Sequence, residues 1–267
     1  MAKQNSQPLL SVKRLTKYFG GLQAISDISF DIWPQEVVSI IGPNGAGKTT
    51  LINLVTGVFP PTRGAIWFNG KRIDRFSQVR VNDLGVARTF QDLRLFANLT
   101  VVENVIVGTQ QTVKASLIEM MTRLGRAKKY EEEAMERAME KLALVRIEKK
   151  AHLYPFNLSA KEQKLLAVAR CLASEPKLLF LDEPAGGLSR EEIRELSNFI
   201  FALREKGMTI IFVEHRMEMI MEVSDRVIVL NFGQKIAEDI PARIQENETV
   251  LAAYLPRMEK KDAQGLQ

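Results

Sequence analysis

Short apolar runs alternate with helix-length segments through much of the chain. The clearest runs cover residues 37–41, 178–181, 209–213 and 227–230. Runs of this kind are typical of strands that are buried on both faces of a parallel sheet. Helix-length stretches separate the last three runs, in the rhythm of β-strand, α-helix and β-strand. The pattern therefore predicts an α/β fold built on a parallel sheet.

The N-terminal part has a different pattern. Residues 9–15 and 25–32 are predicted strands, and in the second Ile28, Phe30 and Ile32 alternate with polar residues. A further strand at 65–68 is followed by Asn69-Gly70, a dipeptide typical of hairpin turns. Residues 86–90 form the last predicted strand before the pattern changes.

Helical patterning dominates from residue 93 to about 156. Thr100 and Glu103 have the spacing of a capping box, and residues 128–144 are rich in Glu, Ala, Met and Lys. A second capping box, Ser189 to Glu192, opens a helix to Lys206, which Gly207 closes. We interpret residues 93–174 as a helical subdomain inserted between 8–92 and 175–254, with 255–267 as a frayed tail.

The composition is that of a globular protein without a membrane span. Of 267 residues, 46% are hydrophobic and 26% charged, and no run approaches the ~20 apolar residues that a span requires. The polar N-terminus lacks the apolar core of a secretion signal, so we expect a cytosolic protein. The one cysteine, Cys171, excludes an intrachain disulfide and is expected to be buried packing.

The net charge of +5 does not by itself indicate nucleic acid. Basic residues are interspersed with acidic ones, and no aromatic and basic platform occurs. We therefore expect no nucleic-acid partner, whereas mild attraction to an anionic membrane surface is compatible with this charge.

The strongest motif is a glycine-rich loop between the strand at 37–41 and a helix. It matches the phosphate-binding P-loop and comprises Gly42, Pro43, Asn44, Gly45, Ala46, Gly47, Lys48, Thr49 and Thr50. Glycines allow backbone N–H groups to converge on an anion, and the helix adds its positive end. Lys48 is expected to reach the β- and γ-phosphates of a nucleotide, and Thr49 to offer its hydroxyl to Mg²⁺.

Two carboxylates, Asp182 and Glu183, follow the apolar run at 178–181. Such a pair alone is more often the charged start of a helix, but beside a P-loop it indicates nucleotide chemistry. We expect Asp182 to hold Mg²⁺, directly or through water. Glu183 is expected to accept a proton from the attacking water or to orient that water.

Two further polar residues follow predicted strands. His215 comes after the strand at 209–213 and is expected to hydrogen-bond the γ-phosphate, whereas His152 is interpreted as an ordinary loop residue. Gln91 follows the strand at 86–90 and is expected to reach Mg²⁺ or the attacking water. Methionines occur at every second position in Met217, Met219 and Met221. Because this spacing cannot place all three on one face of a helix, it favours core packing over a metal site with soft sulfur ligands.

Together these motifs resemble those of ATP-binding cassette (ABC) ATPases over nearly the whole chain. The order and spacing of the P-loop, Gln91, Leu158-Ser159, Asp182-Glu183 and His215 carry the resemblance. Local sequences are similar to those of the ATPase subunits of branched-chain amino acid importers, for example residues 19–21, 88–91 and 213–215. The resemblance implies a P-loop NTPase (RecA-like) core, an N-terminal antiparallel β subdomain and the inserted helical subdomain.

The resemblance also implies ligands and partners. Phe19 would stack on adenine, with Tyr18 as its close rival, and ATP and Mg²⁺ would be the cofactors. The region around Gln91 and the helical insertion would receive the coupling helix of a permease. The implied assembly has a second ABC ATPase subunit, two membrane permeases and, indirectly, an extracytoplasmic solute-binding protein, with this chain peripheral on the cytoplasmic face of the membrane.

The signature segment departs from the family pattern Leu-Ser-Gly-Gly-Gln. It reads Leu158-Ser159-Ala160-Lys161-Glu162, so both glycines are replaced. In the family this segment faces the γ-phosphate held by the other subunit, and Ser159 would contact it. Alternatively, Ser159 and Glu162 form a capping box that serves only the helix. Since the P-loop, Glu183 and His215 are intact, we expect a heterodimer with one good and one impaired site.

Three functional interpretations follow. The preferred one is an ATPase that powers a membrane importer for branched-chain amino acids or related polar solutes. The second is a soluble cassette ATPase that acts on ribosomes or DNA. The third is a regulatory nucleotide-binding subunit with an impaired signature.

Overall fold

The computed structural model describes residues 7–90, 92–109 and 124–254. Gln91 and the predicted tail at 255–267 lie outside these residues. Among the helices described, none is long and apolar enough to cross a membrane.

The described strands are numbered in chain order: β1 (Leu10–Phe19), β2 (Leu22–Ile32), β3 (Val37–Ile41), β4 (Arg63–Phe68), β5 (Lys71–Arg72), β6 (Val86–Arg88), β7 (Leu178–Asp182), β8 (Thr209–Val213), β9 (Arg226–Asn231) and β10 (Gln234–Asp239). The described helices are α1 (Lys48–Val55), α2 (Gln78–Asp83), α3 (Val101–Thr109), α4 (Leu124–Leu144), α5 (Ala160–Leu172), α6 (Arg190–Glu205), α7 (Met217–Val223), α8 (Pro241–Gln245) and α9 (Glu248–Tyr254). Short 3₁₀ turns cover Glu148–Lys150 and Pro155–Asn157.

The chain divides into two compact units. The first combines Met1–Arg75 with Val213–Gln267, and the second is Phe76–Phe212. The subdomain boundaries that we predicted near residues 93 and 174 stay a prediction.

The first unit contains an antiparallel sheet in the order β2, β1, β4, β5. Leu10 on β1 lies opposite Ile32 on β2 and Phe68 on β4, and all three side chains are buried. The predicted hairpin at Asn69-Gly70 is confirmed, since both residues have positive φ and join β4 to β5. Alternation of apolar residues toward one face explains this sheet.

A parallel pair, β3 with β9, supports the P-loop in the same unit. Ile40 lies opposite Ile228 and Ile41 opposite Val229, and every residue of β3 is buried. Strand β10, which we did not predict, pairs antiparallel with β9. Most of its residues are half-buried and several are charged, with Lys235 and Glu238 ion-paired, so it shows no clear alternation.

The second unit contains β8, β7 and β6 in that order, with β6 and β7 parallel. Strand β6 ends at Arg88, two residues earlier than we predicted. Helices α3, α4 and α5 share an apolar cluster that includes Val105, Leu142 and Leu166. The Thr100 to Glu103 capping box is confirmed, because each residue bonds the backbone N–H of the other.

Candidate nucleotide-binding site

The P-loop joins β3 to α1, and its backbone requires glycine at two positions. A Cβ at Gly42 would lie 2.2 Å from the carbonyl oxygen of Leu230, and one at Gly47 would lie 2.9 Å from that of Ala24. Gly47 also has φ of 99°. A side chain at either position would therefore force the loop away from the strands beneath it.

Lys48, the first residue of α1, is buried inside this loop. Its ammonium donates to the carbonyl oxygens of Gly42 at 2.7 Å and Pro43 at 3.1 Å. Thr49 is exposed and Thr50 half-buried on the same first turn. No acidic side chain lies in that turn, so the positive end of the helix is not offset there.

These features fit the triphosphate of a nucleotide. The loop holds a cation at its centre, and its exposed Asn44 and Gly45 form the outer rim. A loop with a lysine and a helix start is a general anion-binding arrangement. The predicted phosphate-binding residues at 42–50 thus comprise the loop and the first turn of α1, both in the first unit.

The predicted adenine contact, Phe19, ends strand β1. The residue is 44% exposed, and its ring packs edge-on against Phe59 with 5.2 Å between ring centroids. The ammonium of Lys17 lies 5.1 Å from the Phe19 ring centroid. Tyr18 is 40% exposed, so exposure alone does not separate the two candidates.

Asp182, the last residue of β7, is held by an arginine that the sequence analysis missed. Arg88 Nη2 lies 2.7 Å from Asp182 Oδ2, and both side chains are nearly buried, at 5% and 9% exposure. The Asp182 backbone N–H also donates to the Thr89 hydroxyl at 3.2 Å. The end of β6 thus fixes the carboxylate predicted to hold Mg²⁺.

Glu183 begins a tight turn and is half-buried. Its φ of 48° lies in the left-handed region, which a residue with a side chain rarely adopts. Its carbonyl oxygen accepts the Gly186 N–H at 3.2 Å, and Lys164 on α5 also donates to it. Backbone strain of this kind is often found at functional sites.

The two histidines are both exposed. His215 follows β8, and its backbone N–H donates to Oε2 of the buried Glu214 at 2.9 Å. His152 lies in a turn between helices. Gln91, predicted to reach Mg²⁺ or the attacking water, lies outside the described residues.

The signature segment forms the capping box that we gave as one alternative. The Ser159 hydroxyl accepts the Glu162 N–H at 3.3 Å, and Glu162 Oε2 accepts the Ser159 N–H at 3.0 Å. The ammonium of Lys150 lies 2.6 Å from Glu162 Oε1, and this hydrogen bond is the main cause that lowers the pKa of the Glu162 carboxyl. Lys161 pairs with Glu195 on α6. Both charges of the segment therefore have partners within the chain.

A cavity in the second unit was not predicted. A cavity of about 640 Å³ lies between α5 and α6, with Ser159, Lys161 and Lys164 on one side and Leu196 and Phe199 on the other. Its volume is in the range of ligand sites. No sequence pattern indicated it, because its lining comes from segments that are far apart in the chain.

The remaining candidates have ordinary roles. Burial raises the pKa of the Cys171 thiol to about 11, and the thiol donates to the Arg88 carbonyl oxygen at 3.2 Å, in line with packing.

The methionines of α7 differ in burial: Met219 is fully buried, but Met217 is 38% exposed. The prediction of core filling is therefore wrong for Met217, which lies on the outer face of α7. The described part of the chain holds no group of three or more His, Cys, Asp or Glu side chains placed for a metal ion.

The predicted site residues divide between the two units. Phe19, the P-loop and His215 belong to the first unit, whereas Ser159, Asp182 and Glu183 belong to the second. Within the second unit, Lys164 on α5 links the helix that begins after Ser159 to the turn that carries Glu183.

Comparison with known proteins shows the family of this chain. The family model described as ABC transporter matches residues 25–186. The chain is 40% identical over 251 residues to the high-affinity branched-chain amino acid transport ATP-binding protein LivG of Escherichia coli K12, covering 94% of this chain and 98% of that protein. It is 38% identical, with the same coverage, to the corresponding protein BraF of Pseudomonas aeruginosa.

Solved structures give the same result. The ADP conformation of an ATP-binding cassette of an ABC transporter matches with a TM-score of 0.82 and 29% identity, covering 93% of this chain and 99% of that one. A dimeric cassette in a post-hydrolysis state, bound to ADP and Pi, matches with a TM-score of 0.74 and 25% identity, covering 87% of this chain and 98% of that one.

This fold, with its P-loop and the carboxylates at the end of β7, is that of the cassette ATPases. The chain belongs to the ABC transporter family. It is an ATP-binding, ATP-hydrolysing subunit of that family, so the predicted fold class and the ATPase activity are confirmed.

Proposed function

We propose that this chain is the ATPase subunit of a membrane importer for branched-chain amino acids or related polar solutes. The observation that carries the proposal is the 40% identity over 94% of the chain to a branched-chain amino acid transport ATP-binding protein. The chain retains the P-loop, Glu183 and His215 beside that similarity.

The P-loop residues 42–50 bind the phosphates of ATP in this proposal. Lys48 exchanges its hydrogen bonds to loop carbonyls for phosphate oxygens, because an ammonium binds a charged acceptor more strongly than a neutral one. Phe19 stacks on adenine, since its ring is exposed beside a cation.

Thr49, Gln91 and Asp182 would hold Mg²⁺. Their oxygen atoms are the ligands that this hard cation prefers, and Arg88 orients the Asp182 carboxylate. When bound, Mg²⁺ neutralises charge on the phosphate oxygens.

Hydrolysis needs a group that orients or deprotonates water. We assign this role to Glu183, whose strained turn fixes its backbone. The exposed His215 is assigned a hydrogen bond to the γ-phosphate. Gln91 is a further candidate for positioning the water. Each role uses chemistry that is typical of phosphoryl transfer.

The signature segment supports a heterodimer. Ser159 is assigned to the γ-phosphate of the other subunit, but its hydroxyl and Glu162 already serve the start of α5. A companion ATPase with a normal signature would then complete the site on this chain. The proposed assembly also contains two permease subunits and, indirectly, a solute-binding protein. In this assembly the chain is peripheral on the cytoplasmic face of the membrane.

Transport can be tested with the complex that co-purifies with this chain from membranes, reconstituted in proteoliposomes. We expect uptake of labelled leucine that requires ATP and that Lys48→Ala abolishes, whereas Lys71→Ala, which changes an exposed lysine of β5, leaves it intact. ATP hydrolysis without uptake of leucine, isoleucine, valine or a related polar solute would contradict the proposed cargo.

The heterodimer can be tested separately by identifying the ATPase subunits in the same complex. We expect two different cassette chains in equal amounts. A complex that contains only this cassette chain, with full ATPase activity, would contradict a heterodimer and would show that the segment 158–162 acts as a working signature.

A further inference from the structure

Lys164 makes an unusual set of contacts for a helix lysine. Its ammonium donates to the carbonyl oxygens of Glu183 at 3.3 Å, Pro184 at 3.0 Å and Gly186. These three carbonyls belong to the single turn that follows Asp182. The lysine comes from α5, about 20 residues earlier in the chain.

The turn that Lys164 binds is strained. Glu183 has φ of 48° and Gly187 has φ of 75°, both left-handed. A left-handed conformation is unfavourable for a residue with a side chain and persists only when its surroundings enforce it. The three carbonyl oxygens that accept from the Lys164 ammonium would otherwise repel one another. The positive charge of the ammonium offsets this repulsion and so stabilises the conformation of the turn.

The neighbouring lysines behave differently. Lys150 and Lys161 each pair with a carboxylate, Glu162 and Glu195 respectively. Lys164, which is half-buried, donates to backbone oxygens of the turn. These hydrogen bonds connect the lysine directly to the conformation of the turn.

We propose that Lys164 is a positioning residue for Glu183. The proposal rests on the function assigned above to Glu183. The ammonium holds the turn in the conformation that aims the Glu183 carboxylate, and it ties that turn to the helix that begins after Ser159. A movement of α5 is thereby passed to the carboxylate that acts on water.

The test uses the ATPase activity of the purified transporter complex with Lys164→Met. We expect kcat to fall roughly ten- to a hundredfold, since small misplacements of a reacting group have effects of that size. KM for ATP and the affinity for a fluorescent ATP analogue should change less than about twofold, because the P-loop is untouched. Lys164→Arg, which keeps the charge and the donors, should restore most of the lost rate.

A double-mutant cycle separates positioning from general damage. In a Glu183→Gln background, Lys164→Met should slow hydrolysis no further, because the lysine acts through Glu183. Lys177→Met, which removes an exposed lysine just before β7, is the matched control and should keep the wild-type rate.

Two results would overturn the proposal. One is a wild-type kcat for Lys164→Met in a complex that Glu183→Gln inactivates. The other is an equal loss from Lys164→Met with and without the Glu183 carboxylate. If Glu183→Gln itself leaves the rate unchanged, the assigned function of Glu183 fails instead, so the two failures are distinguishable.

Discussion

Arg88 and Asp182 form an ion pair that is nearly excluded from solvent. Side-chain exposure is 5% for Arg88 and 9% for Asp182, and 2.7 Å separates Nη2 from Oδ2. Removing one partner of such a pair leaves the other charge buried without compensation. The pair therefore matters for stability as well as for the site.

Arg88→Met should destabilise the protein by about 3 to 5 kcal/mol, because Asp182 would remain charged and buried. The midpoint of urea denaturation measures this loss. Arg14→Met provides the control, since its ion pair with Asp27 is exposed, at 84% and 65%, and its effect should stay within about 0.5 kcal/mol. Adding Asp182→Asn to Arg88→Met should recover part of the loss, and no recovery would contradict the electrostatic cause.

Cys171 should react slowly with thiol reagents in the native protein. Burial raises the pKa of its thiol from 9.0 to about 11, which lowers the thiolate fraction near pH 8 about a hundredfold. Labelling with a chromogenic disulfide reagent in buffer and in urea measures this difference. Equal rates in both solvents would show that the thiol is accessible in the native fold.

Residue-scale features differ in how well the sequence predicts them. The P-loop was predictable because its residues are contiguous and each has a chemical role. Arg88 and Lys164 were not predicted, because Arg88 binds a carboxylate 94 positions away and Lys164 binds carbonyls 19 to 22 positions away. Only the pairing of β6 with β7 and the position of α5 bring them together.

Three of the described helices begin with a capping box that involves a glutamate. Hydrogen bonds to Thr100 and to Ser189 lower the carboxyl pKa of Glu103 and Glu192, and the hydrogen bond to Lys150 is the main cause for Glu162. A folded-state pKa below the ordinary value stabilises the fold above the ordinary pKa. That contribution is lost as the pH falls through the lowered pKa.

Ser189→Ala should cost about 1 kcal/mol, because the N-terminal N–H groups of α6 lose an acceptor. Ser77→Ala is the matched control, since Ser77 precedes α2 without a side-chain cap. Urea denaturation at pH 7 measures both changes. An effect of Ser77→Ala as large as that of Ser189→Ala would contradict a role for the cap.

Glu192→Gln should flatten the dependence of stability on pH below about pH 4.5, where carboxyl groups titrate. The wild type should lose stability on acidification more steeply than the variant, because its Glu192 carboxylate takes up a proton in that window and the variant has no carboxyl group at this position. Denaturation curves between pH 3 and pH 7 measure this. Parallel curves for the two proteins would contradict the lowered pKa.

Secondary structure was predictable where one pattern dominates. Strands β3 and β8 match the apolar runs at 37–41 and 209–213, and α6 matches its two end signals. Strand β10 was missed because half-buried residues and charges obscure its period. Its pairing with β9 is a tertiary effect that no local pattern specifies.

On the scale of the whole molecule, the proposed heterodimer depends on the signature segment, residues 158–162. Its capping box and ion pairs use Ser159, Lys161 and Glu162 within the chain. The weak site of the proposed heterodimer therefore lies at this segment.

Restoring the family sequence with Ala160→Gly, Lys161→Gly and Glu162→Gln should raise ATP hydrolysis by the isolated chain severalfold, because its own signature could then complete a site between two copies. Phosphate release at saturating ATP measures this. An unchanged rate, with the variant still folded by circular dichroism, would contradict an impaired signature.

The most direct test of the account is ATP turnover by the transporter complex with Glu183→Gln. Without the carboxylate we expect nucleotide binding to persist and the rate to fall by about a hundredfold or more, because general base catalysis contributes on that scale. A variant that binds ATP and hydrolyses it at the wild-type rate would contradict the central claim that Glu183 acts on the attacking water.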